Sequence, residues 1–242
     1  MPFLISKFYH VLGRLTSSAA SARPVVIVIH PWKLAYFRIP KAANSSIKHV
    51  FSGALGLPKL EGVSQTSDLY WMSQDPNIVE ILSVKEFIQR GYEDCYFSFS
   101  AVRDPIERVV SCYKNKFLRN TELSDSLASR GFTRSMGFAE FVSHLCRIRD
   151  HKSDVHLMSQ SNILSYKGRL RAKTIIPLPL LKERWKVIQD YVGESSNVCL
   201  DDLPVINSTN NVNESISLDP KVIRKLRRRY KRDYALLPFE SD

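Results

Sequence analysis

The stretch LAYFRIPKAANSSIKHVF, residues 34–51, changes character from strand to helix within a few residues. LAYFRI is short, apolar and aromatic, which predicts a buried strand. Pro40 stops it, and Lys41 stands at its carboxyl edge. Ala42 and Ala43 leave room for close approach to the backbone. Asn44, Ser45 and Ser46 bring N-cap chemistry and hydroxyl donors, and Ile47, Val50 and Phe51 then recur at helical spacing. About 60 residues on, CYFSFSAVRDPIERVVSCYKNKF, residues 95–117, repeats the plan. CYFSFSAV predicts a central strand ending at Arg103. Asp104 is a good N-cap and Pro105 a good first helical residue, while Val109, Val110, Tyr113 and Phe117 give the helix an apolar face. A strand running into a helix N-terminus favours anions, because the first N–H groups lack partners and the dipole points its positive end outward. Two such junctions suit a ligand with phosphate-like groups at both ends.

The details narrow the choice. In the nucleotide-triphosphate loop G-x-x-x-x-G-K-[ST] the Lys comes late and glycines shape the turn. Here Lys41 comes first and the loop has no glycine, which argues against an ordinary ATPase or GTPase. Arg103 and Ser111 are eight residues apart, a spacing that can bring both to the strand end. An Arg fork with a hydroxyl makes a good clamp for a phosphate monoester. For Arg103 alone, the plainer alternative is an ion pair with Asp104 or Glu107.

The pair PKAANSS and VRDPIERVVSCYKNKF resembles the sulfotransferases that use 3′-phosphoadenosine 5′-phosphosulfate (PAPS). It is most similar to their carbohydrate branch, which includes the chondroitin, dermatan and heparan 2-O enzymes. Weaker resemblance runs through GFAEFVSHL (137–145), DVHLMSQ (154–160) and RRYKRDYALLPF (228–239). The resemblance implies an α/β fold of the three-layer, P-loop-like kind with a mainly parallel central sheet. It implies sulfonate transfer from PAPS to a carbohydrate hydroxyl by in-line displacement, with PAP as product. Lys41 would contact the bridging oxygen between phosphate and sulfonate. Ala42, Ala43, Asn44, Ser45 and Ser46 would cradle the 5′-phosphate, and Arg103 and Ser111 would hold the 3′-phosphate. The scheme needs no metal.

Such a transfer needs a general base for the acceptor hydroxyl. Some relatives place a His between the two motifs, but no His lies between His49 and His144 here. Others use a carboxylate downstream of the loop Lys, a range that holds Glu61 and Asp68. His156 lies in the later His-containing segment and has a convenient ordinary pKa. His156, Asp68 and Glu61 are all candidates, in that order.

Length and composition are compatible with this reading. The 242 residues suit one α/β domain over 25–242, preceded by an amphipathic segment at 1–24. The net charge of +11 points to an anionic partner, here a carbohydrate or glycan acceptor, rather than nucleic acid. KVIRKLRRRYKR (221–232) predicts a helix with a basic face and an apolar stripe of Val222, Ile223, Leu226 and Tyr230. Cys95, Cys112, Cys146 and Cys199 show no CxxC spacing and read as free thiols, with Cys95 and Cys112 in core elements. No apolar run is long enough to span a membrane, and Phe3, Leu4, Phe8, Val11, Leu12 and Leu15 could line one face of a surface helix. The expectation is a cytoplasmic enzyme with peripheral membrane contact as an option; a Golgi location would require an anchor beyond this chain. Residues 57–80 read as irregular, 120–136 as a mobile gating insertion, and 207–214 as a polar loop near the nucleotide. Two other classes stay open: a P-loop-like small-molecule or nucleoside kinase, and a non-enzymatic basic module that binds RNA or anionic glycans.

Overall fold

The computed structural model describes residues 26–206, 216 and 218–239. The amphipathic segment at 1–24 and the loop at 207–214 lie outside the described residues. Strands β1 (Val26–Ile29) and β2 (Leu34–Phe37) lead into α1 (Asn44–Ala54) and α2 (Asp68–Met72). Then come β3 (Val79–Leu82), α3 (Val84–Gln89), α4 (Tyr92–Cys95), β4 (Phe97–Val102) and α5 (Pro105–Tyr113). A π-helical segment, Lys114–Arg119, continues α5 without a break. Helices α6 (Asp125–Ala128), α7 (Phe138–Leu145) and α8 (Gln160–Ile163) precede a small hairpin of β5 (Ser165–Tyr166) and β6 (Arg169–Leu170). Strand β7 (Thr174–Pro177), α9 (Leu181–Ser196), α10 (Pro220–Arg229) and α11 (Lys231–Leu236) follow.

The main sheet has the order β3-β1-β2-β4-β7. β2 pairs with β4, and β4 with β7, in parallel, whereas β1 is antiparallel to both β2 and β3. Four strands therefore point one way and β1 the other. The sheet is mainly parallel in direction, as expected, and β1 is the exception because the tight turn at His30–Lys33 makes β1 and β2 a hairpin. Residues alternate between two cores, as strands must when both faces are covered. Ile27, Ile29, Tyr36 and Phe99 pack with Ile47 and Phe51 of α1 and Trp185 and Ile188 of α9. Val26, Val28, Ala35 and Phe37 pack on the opposite face with Phe87 of α3. A third cluster joins α5, α7 and α10 through Val109, Phe141, Leu226 and Tyr230.

Three expectations need correction. Residues 57–80 are not wholly irregular: they contain α2, with Tyr70 and Trp71 buried, and the start of β3. The insertion at 120–136 is anchored rather than loose, since Leu127 and Phe132 are buried in the third cluster. Cys95 is exposed, because it closes the solvent-facing α4 and the strand begins at Phe97. Cys112 is buried as expected, and all four cysteines are free. No helix among the described residues is long and apolar enough to cross a membrane.

Candidate functional site

β2, β4 and β7 end at one edge of the sheet, where ligands of open α/β sheets bind. A cavity of about 1040 Å³ opens there, lined by Lys41, Ala43, Asn44, Ser45, Ser46, Asp68, Arg103, Ser111 and His156. That volume is at the upper end for small-molecule sites, enough for a nucleotide and part of an acceptor together. Of the residues singled out from sequence, Ala42 and Glu61 are not in the lining. Ala42 is fully buried in the core and offers the cavity no side chain. Glu61 is exposed in the turn closed by the Leu60–Val63 bridge. It faces solvent because Val63 and Leu60, not the acid, pack toward the core.

The first junction has an unusual backbone. Lys41 and Ala43 both adopt positive φ, 70° and 53°, although neither is glycine. Such residues are strained and persist where the surroundings hold them. Alternating left- and right-handed conformations turn successive N–H groups inward, the geometry of an anion nest. The N-cap of α1 is Ala43, and no side chain caps the helix. Asn44, Ser45 and Ser46 thus lie inside the first turn instead of capping it; all three line the cavity, and their N–H groups have no backbone acceptor among the described residues. The side-chain oxygen of Asn44 is buried without a hydrogen-bond partner among the described residues.

The second junction is different. Asp104 caps α5 by accepting from the N–H groups of Ile106 and Glu107 at 2.9 and 3.0 Å, and its other oxygen accepts from Tyr234 at 2.9 Å. The helix N-terminus is therefore already satisfied, and any anion here must be held by side chains. Arg103 Nε donates to Glu107 at 3.2 Å, an i,i+4 pair, yet Arg103 still lines the cavity. Gln160 grips the Arg103 backbone with both amide atoms, accepting from its N–H at 2.9 Å and donating to its carbonyl at 2.6 Å. The N–H groups of Gln160 and Ser161 are in turn capped by the buried Asp233.

The π-helical segment turns Asn115, Lys116 and Arg119 into the same cavity. Segments of this kind are rare and concentrate at functional sites. Neither Lys116 nor Arg119 has a carboxylate partner among the described residues. Burial pushes the Lys41 ammonium below its ordinary pKa, as do the neighbouring cations Lys116, Arg103 and Arg119, with Cys112 opposing. The two acids of the lining are already committed. Asp68 accepts from Arg38 at 2.7 Å and from the buried Lys48 at 2.8 Å. Asp154 accepts from His156 Nδ1 at 2.8 Å and from the hydroxyl of Ser126.

That last contact orients His156. With Nδ1–H given to Asp154, Nε2 is left with a lone pair. Asp154 is steadied by Ser126, which accepts from Arg130 at 2.8 Å. The 120–136 segment thus braces the histidine and, through Asn120, Ser124 and Ser126, also lines the cavity. Lys48, Lys116, Arg119, Ser126 and Asp154 escaped the sequence reading. Lys116 and Asp154 lie within quoted segments but carry no signal of their own, whereas Lys48 stands three residues beyond Ser45 and so on the same helix face.

A family model described as "Sulfotransferase family" matches residues 25–240. No curated protein and no solved structure matches the chain.

Proposed function

The chain belongs to the sulfotransferase family, and we propose that it transfers sulfonate from PAPS to a hydroxyl of a carbohydrate acceptor, releasing PAP. The observation that carries the reading is the company in one cavity: an uncapped helix N-terminus with Lys41, an Arg–Ser pair, and a histidine held by a carboxylate. Unclaimed N–H groups and unpaired cations fit a ligand with several negative charges. When bound, PAPS supplies the sulfonyl group and PAP is the leaving group. The N–H groups of residues 43–46 and the Ser45 and Ser46 hydroxyls hold the 5′-phosphate side. Arg103 and Ser111 hold the 3′-phosphate. Lys41 stabilises negative charge that develops on the leaving group, an interaction stronger in the transition state than before it. His156 Nε2 takes the proton of the acceptor hydroxyl, and Asp154 stabilises the imidazolium that results. Lys116 and Arg119, left over once the nucleotide is neutralised, favour an acceptor that carries a carboxylate or sulfate. The reading includes a cytoplasmic location, with residues 1–24 as the element that would touch a membrane surface.

Calorimetry in EDTA tests the donor half. The natural chain should bind PAP, and Arg103→Ala should weaken binding about 10- to 100-fold through loss of a charge-assisted fork. Lys41→Ala should lower turnover of labelled PAPS about 10²-fold or more while keeping PAP affinity within about tenfold. A natural chain that ignores PAP but binds ATP with Mg²⁺ would instead be a kinase.

A further inference from the structure

Among the described residues, Arg108 is the largest charged side chain that is fully buried, at 1% exposure. Its guanidinium donates to three main-chain carbonyls: Nε to Pro40 at 2.9 Å, Nη1 to Met158 at 2.7 Å, and Nη2 to Val155 at 2.9 Å. No carboxylate lies within ion-pair distance of it among the described residues. Pro40 immediately precedes Lys41, and Val155 and Met158 bracket His156. None of these three carbonyls accepts from a backbone N–H among the described residues, where the guanidinium is their donor.

Burying a cation without a counter-ion is costly, and an apolar side chain of similar volume would fill the space more cheaply. What the apolar side chain could not do is join two loops that are over 110 residues apart in sequence. A lysine could not do it either: its single ammonium lacks the planar fork that reaches three acceptors in fixed directions. The fork sits on α5, one turn before Ser111, so the helix that carries the hydroxyl also spaces the two loops.

We infer that Arg108 is a positioning residue that sets the separation of the Lys41 loop from the His156 segment, so that order in one loop is felt in the other. The roles of Lys41 and His156 rest on the function proposed above; the mechanical link does not. The reacting groups must be held within about an ångström, and a misplacement of that size costs about 10² in rate.

Amide hydrogen exchange of the ligand-free protein tests the link directly. In Arg108→Lys, peptides covering 40–46 and 154–158 should both exchange about tenfold faster or more, while α9 and the strands keep their protection. The turnover number should fall about 10²-fold with the nucleotide KM changed much less, and the acid limb of the pH profile should move with the loosened His156. A folded Arg108→Lys in which only one segment loosens, or neither, overturns the inference, as does turnover within about threefold of the natural chain. Should Arg108→Lys not fold, the natural chain decides. Saturating PAP should then slow exchange at 154–158 as well as at 40–46, and protection confined to 40–46 overturns the link. If PAP does not bind at all, the donor assignment fails, while the ligand-free comparison still decides the role of Arg108.

Discussion

Asp68 and His156 line the same cavity but differ in what already holds them. For Asp68, burial works against ionisation, but Arg38 and Lys48 outweigh it and hold the carboxyl below its usual range. A carboxylate stabilised in this way is a weak base. For His156, burial pushes the pKa below 6.5 and prevails over the hydrogen bond to Asp154, which pulls the other way. The ring is therefore neutral at neutral pH, the state a base requires. Activity that depends on it should be flat near neutrality and fall only as pH drops through a value below 6.5. The unfolded chain, whose His keeps the ordinary pKa, binds more protons across that window, so stability also falls as pH drops through it. Kinetics against pH, run on two variants, separate the candidates. His156→Gln should lower kcat about 10²- to 10⁴-fold and abolish the acid limb. Asp68→Asn should keep the limb and most of kcat. It should cost about 1–2 kcal/mol of stability in urea, because Lys48 stays buried with one partner fewer while Asp68 itself is half exposed. Activity surviving in His156→Gln but not in Asp68→Asn would make Asp68 the base. Lys48, which burial lowers to about 8 with Asp68 opposing, belongs to this charge cluster and would then share its titration.

The two strand-to-helix junctions are the elements that position the site, and they were legible in sequence for a simple reason. LAYF and FSFSAV are apolar runs cut off by residues that cannot continue a strand, Pro40 and Asp104-Pro105. What could not be read was how each helix begins. Asp104 does cap α5 and thereby removes the anion site expected at that terminus, whereas α1 is left open because its N-cap is Ala43. Other parts were hidden by residue type. β3 reads as polar because Glu80 interrupts it, yet His30 at 3.1 Å and Arg90 both hold that acid. Arg108 looks like any solvated helical arginine, and nothing in KNKFLR announces a π turn that brings Lys116 round to the side of Ser111. The junctions predict opposite responses to mutation. Asp104→Ala should lower stability by about 1–2 kcal/mol in denaturant titrations, from lost caps and the lost Tyr234 bond, with little change in PAP affinity. Ala43→Gly should be tolerated at φ 53°. Ala43→Val should cost about 1–3 kcal/mol and weaken PAP binding, since a branched Cβ resists the left-handed conformation on which the open N-terminus depends. Equal PAP affinity in Ala43→Val and the natural chain would show that the loop's N–H groups do not hold the ligand.

For the molecule as a whole, the net charge of +11 is not spread evenly, and where it gathers decides its effect. The basic residues of α10 and α11 are mostly exposed, so water and salt screen them. The half-buried Lys41 and Lys116 and the exposed Arg119 converge on one cavity whose two acids are already paired, and between the half-buried pair repulsion is not screened as well. The lowered pKa of Lys41 is partly the record of that repulsion. A site assembled for an anionic ligand should therefore hold the empty protein below its best stability. Replacing Lys116 and Arg119 together with Gln removes two of the repelling charges and should raise the stability of the ligand-free protein, by up to about 1 kcal/mol. The same substitution should lower kcat/KM for an anionic acceptor about tenfold or more, and flatten its dependence on salt, while a neutral acceptor loses far less. Stability and activity thus move in opposite directions, a combination that simple damage to the fold does not produce. If the double variant is less stable than the natural chain, Lys116 and Arg119 serve the fold. If anionic and neutral acceptors suffer alike, the two cations hold the nucleotide instead, and the preference for an anionic acceptor has to come from elsewhere on the surface.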